Sequence, residues 1–85
     1  WGLVSHVVAA DKLLVEANRI AALIAANGPL AVRSARDAVY QGLALPLNAA
    51  LSLEQYHTEP LRLSEDAAEG VQAFIEKRTP TFKGK

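Results

Sequence analysis

Cysteine is absent from the sequence, which excludes a disulfide framework and any metal site built from thiolates. No apolar run reaches the roughly 18 residues that a membrane-spanning helix needs, because Asp11, Glu16 and Arg19 interrupt the most apolar stretch. An excess of one charge is also missing, since nine lysines and arginines balance nine aspartates and glutamates. This balance excludes a globally basic surface but not a local basic patch. We therefore expect neither nucleic acid nor a membrane as a partner.

The patterns of a self-sufficient active site are missing as well. The chain has no glycine-rich phosphate loop, no Gly-x-Ser-x-Gly elbow and no Cys/His pair for nucleophilic catalysis. His6 and His57 have no second histidine or carboxylate at a recognised ligand spacing, so we interpret them as surface or helix-cap residues. We predict no catalytic residue and no metal site in this chain.

Apolar residues are plentiful for so short a chain, since they make up 51% of its 85 residues. A protein of this size buries only roughly 60% of the surface that its unfolded form exposes. We therefore expect apolar surface to remain uncovered and to dock on a partner, including a second copy of the chain. The sequence begins at Trp1, with no initiator methionine and no signal-peptide pattern, and we interpret it as part of a longer protein.

Hydrophobic periodicity predicts an all-α fold of about four helices after a short extended segment. In chain order the predicted elements are a strand or extended segment over 3–8 and helices over 11–26, 29–45, 47 to about 57, and Ser64 to Pro80. Pro46 is expected to kink the second helix or to restart it. Ser64 is expected to cap the last helix with its hydroxyl. The tail over 81–85 is predicted to be mobile.

The last helix contains an acidic cluster and an internal glycine. Glu65 and Asp66 are explained by their first-turn position, where the helix dipole favours negative charge, although paired carboxylates with Glu69 can also do acid–base work. Gly70 costs roughly 1 kcal/mol in a helix interior. We therefore predict that another element, most simply a helix, approaches Gly70 closely.

Basic residues and aromatic rings gather at the C-terminal end. They are Phe74, Lys77, Arg78, Phe82, Lys83 and Lys85. Such a patch can bind phosphates while a ring stacks on a base. The alternative is a helix end whose cations compensate the dipole, followed by a soluble tail.

The same region carries a longer pattern, which resembles the ending of the enoyl-CoA hydratase/isomerase (crotonase) family. The matching pieces are Ser64-Glu65-Asp66, Glu69-Gly70, Ala73-Phe74, Glu76-Lys77-Arg78 and Pro80-Thr81-Phe82. The opening from Gly2 to Val8 and the start of the second helix from Gly28 to Val32 resemble the same family, whereas Arg36 departs from its commoner lysine. The resemblance covers essentially the whole chain. It implies that residues 1–85 are the C-terminal helical, trimerisation region, without the N-terminal catalytic β/α-spiral domain.

The resemblance also implies a function for the whole enzyme, with acyl-CoA as substrate and no separate cofactor. Hydration of a 2-enoyl-CoA is the first expectation, and isomerase, thioester hydrolase, dehalogenase, decarboxylase or ring-closing chemistry are alternatives. The family positions that contact the CoA adenosine end correspond to Phe74 and Lys77, whose three-residue spacing predicts a shared helical face.

The resemblance further implies a homo-oligomer, a trimer or a dimer of trimers, in the cytoplasm or, in a eukaryote, the mitochondrial matrix. The chain alone is expected to be inactive. A stand-alone helical interaction module is the alternative from a different class of protein.

Overall fold

The protein is described by a computed structural model that covers all 85 residues, and its regular structure is entirely helical. The four helices are α1 Leu13–Ala25, α2 Pro29–Gly42, α3 Leu47–Thr58 and α4 Glu65–Glu76. Short 3₁₀ turns precede α1 (Ala10–Lys12) and α4 (Pro60–Leu63). The predicted all-α class with four helices after an extended segment is confirmed. The alternative of a strand over 3–8 is wrong, because no other extended segment pairs with it.

Proline and glycine set the boundaries of the second and third helices. Pro29 occupies the first position of α2, where its missing N–H has no intrahelical partner to lose. The helix ends at Gly42, three residues earlier than predicted, and Leu45 donates a turn hydrogen bond to the Gly42 carbonyl. Pro46 is then extended (φ −57°, ψ 148°) directly before α3. The chain therefore restarts a helix at this proline and does not kink through it.

The helices do not enclose a common core. Helices α2 and α3 pack on each other, whereas α1 makes its main contacts with the 3₁₀ turn before it. The radius of gyration is 16.2 Å, compared with about 12 Å for a compact chain of this length. The accessible surface is 7231 Å², against about 4,900 Å² for a folded monomer of this mass. None of the four helices is long and apolar enough to cross a membrane.

Burial is confined to a few small or polar positions. Only Gly28, Asp66 and Ala73 are buried. Large apolar side chains are exposed on every helix, including Leu14 of α1 and Phe74 of α4. The uncovered apolar surface that the composition predicts is therefore present, and the three buried positions mark α4 and its surroundings as the most tightly packed part of the chain.

Candidate functional site

The N-terminal end of α4 is closed by a side-chain cap. Ser64 has an extended backbone (φ −75°, ψ 152°), and its hydroxyl accepts a 3.0 Å hydrogen bond from the Ala67 N–H. The same hydroxyl donates to the carbonyl of Leu61 at 2.7 Å, which ties the cap to the preceding 3₁₀ turn. The predicted cap at Ser64 is confirmed, and it satisfies one of the first-turn amides that a helix otherwise leaves unpaired.

The C-terminal end of α4 is a left-handed turn. Lys77 adopts φ 54° and ψ 41°, its N–H donates to the Phe74 carbonyl at 3.3 Å, and the Arg78 N–H donates to the Ala73 carbonyl at 3.0 Å. These two bonds form a Schellman motif, in which the left-handed position usually holds glycine. The helix consequently ends at Glu76, and the predicted extension to Pro80 is wrong because the chain reverses at Lys77.

A glutamate of α4 anchors the chain that follows this reversal. The Glu69 carboxylate accepts hydrogen bonds from both terminal nitrogens of Arg78, at 2.6 and 2.9 Å, and from the Thr81 N–H at 2.8 Å. The Arg78 side chain also donates from Nε to Glu76 at 2.5 Å. The guanidinium of Arg78, followed by the Thr81 amide, lowers the pKa of Glu69 from 4.5 to about 2. Charge-assisted, bidentate contacts of this kind are the strong ones.

An aspartate one turn earlier anchors the rest of the tail. The Asp66 carboxylate accepts hydrogen bonds from the backbone N–H groups of Lys83 (2.6 Å) and Gly84 (2.8 Å). The Asp66 N–H donates to the Lys85 carbonyl at 3.0 Å. Only 7% of Asp66 is exposed, so its charge is desolvated and its amide partners satisfy it. The first-turn position explains the negative charge of Asp66 at the helix start, but Asp66 also binds the tail.

The ring of Phe82 fills the space between the returning tail and two glycines. A Cβ atom built at Gly28 would lie 3.7 Å from this ring, and one built at Gly70 would lie 3.6 Å from it. The predicted close approach of another element to Gly70 is confirmed, but that element is the tail and not a helix. The prediction of a mobile tail is wrong, because two carboxylates and one ring hold it.

We call this arrangement the C-terminal clasp: Asp66 and Glu69 of α4 together with the returning segment 78–85. Periodicity did not reveal it, because its bonds join residues that are 9 to 19 positions apart. Gly70 was the available sequence signal, and it pointed correctly to a close neighbour without identifying that neighbour. Both carboxylates are hydrogen-bonded to the tail, so each has a structural role in this chain.

The two predicted CoA-binding residues lie at the C-terminal end of α4. The Phe74 side chain is 84% exposed, and Lys77 is exposed as well. Phe74 lies within α4, whereas Lys77 stands beyond its last residue in a left-handed conformation. The two residues therefore do not share a helical face as expected. No hydrogen bond or ion pair engages the ammonium of Lys77. Their binding role stays a prediction.

The remaining cations of this region differ in whether a carboxylate already pairs with them. Arg78 is bound to Glu69, and Lys85 Nζ lies 3.6 Å from Glu65 Oε2. Lys77 and Lys83 have no acidic partner. Lys83 lies beside Asp66 at the start of α4, whereas Lys77 follows the end of the helix that carries Phe74. An exposed ring can stack on a planar base, and an unpaired ammonium can attract phosphate.

The histidines lie apart from this region. His6 Nε2 is 3.9 Å from Glu16 Oε1, at the surface. His57 is half-buried between α2 and α3, its ring meets that of Tyr56 edge-on at 5.7 Å, and its Nε2 has no hydrogen-bond partner. The surface or cap interpretation of His57 is therefore wrong, because α3 turns this face toward α2.

Comparisons with known proteins agree on one family. Residues 1–85 match the family model described as enoyl-CoA hydratase/isomerase. The chain is 40% identical over 84 residues to 2,3-dehydroadipyl-CoA hydratase of Escherichia coli, covering 99% of this chain and 33% of that protein. The structure of an enoyl-CoA hydratase from Bacillus anthracis superposes with a TM-score of 0.96 at 44% identity, covering 99% of this chain and 33% of that one.

A second solved structure gives the same result. An enoyl-CoA hydratase/isomerase from Mycobacterium paratuberculosis superposes with a TM-score of 0.93 at 44% identity, and 99% of this chain is covered. The chain thus spans about a third of the length of the proteins to which it is similar.

Proposed function

Because the chain belongs to the enoyl-CoA hydratase/isomerase family, we propose that it is the C-terminal helical region of an acyl-CoA-processing enzyme in the cytoplasm. The match over all 85 residues is the observation that carries this proposal. Hydration of a 2-enoyl-CoA is the preferred reaction, since the relatives are named as hydratases. Isomerisation is the second candidate, because the family description includes it.

The catalytic groups in this proposal belong to a domain outside the chain. The acidic residues of α4 support this, because Asp66 and Glu69 have a structural role in holding the tail. We expect the isolated chain to hydrate crotonyl-CoA no faster than buffer, and the full-length enzyme to be active. Turnover by the purified isolated chain, free of contaminating enzyme, would refute the assignment.

In the whole enzyme the chain would contribute to binding of the CoA adenosine end. An exposed Phe74 ring and an unpaired Lys77 ammonium lie at one end of α4, and these groups suit an adenine ring and a phosphate respectively. The adenosine end is remote from the reacting thioester, so its contacts should stabilise ground and transition states alike. Loss of such a contact raises KM and leaves kcat unchanged.

The test compares Lys77→Ala with Lys12→Ala in the full-length enzyme. An exposed lysine–phosphate contact predicts a KM for acyl-CoA that rises up to about fivefold for Lys77→Ala, with kcat unchanged. Lys12 is an exposed lysine far along the chain, and its replacement should leave KM unchanged. A pantetheine thioester, which lacks adenosine, should show no difference between wild type and Lys77→Ala. An equal rise with that substrate would place Lys77 near the thioester instead.

The second proposed role is assembly into a homo-oligomer, a trimer or a dimer of trimers. Its support is the excess of accessible surface, 7231 Å² against about 4,900 Å² for a compact monomer. Apolar side chains on all four helices contribute to this excess. We expect the isolated chain to self-associate in sedimentation velocity. A monomer at high micromolar concentration that binds no apolar dye would contradict this proposal and favour another partner.

A further inference from the structure

Lys77 is the one non-glycine residue of the chain with a positive φ. A left-handed backbone is unfavourable for any residue with a Cβ atom, and glycine is the usual choice at this position of a Schellman motif. The strain at Lys77 therefore has to be balanced by contacts that the surrounding residues make.

The contacts on the downstream side of Lys77 come from the C-terminal clasp. Arg78 is the next residue, and its guanidinium is bound at two nitrogens by Glu69, at 2.6 and 2.9 Å. Glu69 also accepts the Thr81 N–H at 2.8 Å. The chain after Lys77 is thus tied to α4 two turns upstream. Lys77 cannot continue the right-handed helix unless these bonds break.

The same contacts leave the charge of Lys77 available. Glu69 and Glu76 are the acidic side chains nearest in sequence to Lys77 within α4, and both are bound to Arg78. Arg78 is therefore neutralised by two carboxylates, while the ammonium of Lys77 has none. An unpaired cation at an exposed turn attracts an anion more strongly than one already paired with a carboxylate.

We infer that Glu69 and Arg78 are positioning residues: their ion pair holds Lys77 in the left-handed turn and keeps its ammonium free for a phosphate group of the substrate. This inference rests on the proposed function, in which Lys77 contacts the adenosine end of acyl-CoA. It goes further in assigning a binding role to two residues that do not touch the ligand.

The experiment is a double-mutant cycle in the full-length enzyme. Glu69→Gln removes the charge that binds Arg78, and we expect it to raise KM for acyl-CoA by about the same factor as Lys77→Ala, with kcat unchanged. The double variant should raise KM no further than either single variant, because both changes remove the same contact. A crystal structure of the Glu69→Gln enzyme should show residue 77 with a negative φ.

Two further variants separate positioning from general destabilisation. Glu59→Gln breaks an exposed ion pair with Arg62, outside the clasp, and should leave KM unchanged. Arg78→Lys keeps the charge but loses the bidentate geometry, and it should raise KM in the same direction as Glu69→Gln. It is the variant to use should Glu69→Gln fail to fold.

The outcomes distinguish this inference from the proposal on which it rests. If Lys77→Ala raises KM and neither clasp variant does, the positioning role is wrong and the CoA contact stands. If the effects of Glu69→Gln and Lys77→Ala multiply independently, Glu69 acts through stability alone and the positioning role is again wrong. If Lys77→Ala has no effect on KM, both ideas fail together.

Discussion

The guanidinium of Arg78 donates two hydrogen bonds, of 2.6 and 2.9 Å, to the carboxylate of Glu69, nine residues earlier. Because Arg78 lies two residues beyond the last residue of α4, this pair fixes the direction in which the chain leaves the helix. The tail then runs back along α4 to Asp66, near the start of the same helix. The shape of this region therefore depends on two acidic side chains and not on an extended helix.

Acidification should release the part of the tail that Glu69 holds. The pKa of Glu69 is lowered from 4.5 to about 2, chiefly by hydrogen bonds from Arg78 and the Thr81 N–H, with Lys83 acting in the same direction. A depressed pKa means that the stabilisation is present above pH 4.5 and is lost as the pH falls toward 2. Hydrogen exchange of the Thr81 amide should therefore lose protection over this range. In Glu69→Gln the protection should not vary over this pH range, because the amide side chain does not titrate, and a profile identical to that of the wild type would contradict the assignment.

Removal of the Asp66 carboxylate should destabilise the chain more than removal of the neighbouring Glu65 carboxylate. Asp66→Ala leaves the Lys83 and Gly84 N–H groups without their acceptor, at a cost of roughly 1 to 3 kcal/mol. Glu65→Ala is the matched control, because Glu65 is exposed and meets only Lys85 Nζ at 3.6 Å, so its loss should cost under about 0.5 kcal/mol. Urea unfolding of the two variants checks this, and equal costs would argue against the role of Asp66.

Replacement of two glycines by alanine should have opposite effects. At Gly70 the new Cβ would lie 3.6 Å from the Phe82 ring, an ordinary contact, so the variant should gain about 0.5 to 1 kcal/mol of helix stability. Gly84 has φ 77°, and a Cβ there would lie 3.2 Å from Pro29 Cγ, so Gly84→Ala should be destabilising by at least about 1 kcal/mol. Thermal unfolding of the two variants measures whether each change raises or lowers stability. A destabilised Gly70→Ala would reveal a neighbour outside this chain.

Comparison of Lys77→Gly with Lys77→Ala should separate the effect of residue 77 on stability from its effect on acyl-CoA binding. Lys77→Gly relieves the left-handed strain, and we expect the free energy of unfolding to rise by on the order of 1 kcal/mol relative to Lys77→Ala. Both variants should raise KM for acyl-CoA alike, since both lack the ammonium. Equal stability of the two variants would show that residue 77 does not hold the left-handed turn in solution.

Local chemistry allowed much of the fold to be predicted, whereas contacts distant in sequence did not follow from it. The cap at Ser64 and the restart after Pro46 depend on one side chain and one missing N–H, which the sequence displays directly. The end of α4 could not be predicted in this way. Helical periodicity continues through Lys77, but the bond from Arg78 to Glu69 directs the chain back along the helix. The partial burial of His57 likewise depends on which face α3 turns toward α2.

At the candidate site, the residue types were predictable but their geometry was not. Phe74 and Lys77 are proposed as ligand contacts because they match positions of a family ending, and both are exposed. Their binding role stays a prediction. The left-handed turn at Lys77 could not be foreseen, since lysine carries no local preference for that conformation.

The return of the tail has a practical consequence for labelling this protein. The Lys85 carbonyl accepts the Asp66 N–H, so residues appended after Lys85 would emerge beside the first turn of α4. Helix α4 has 12 residues, which places this exit roughly 18 Å from the end that carries Phe74 and Lys77. A fluorophore fused to this chain after Lys85 would therefore stand apart from Phe74 and Lys77, the two residues proposed to contact the adenosine end.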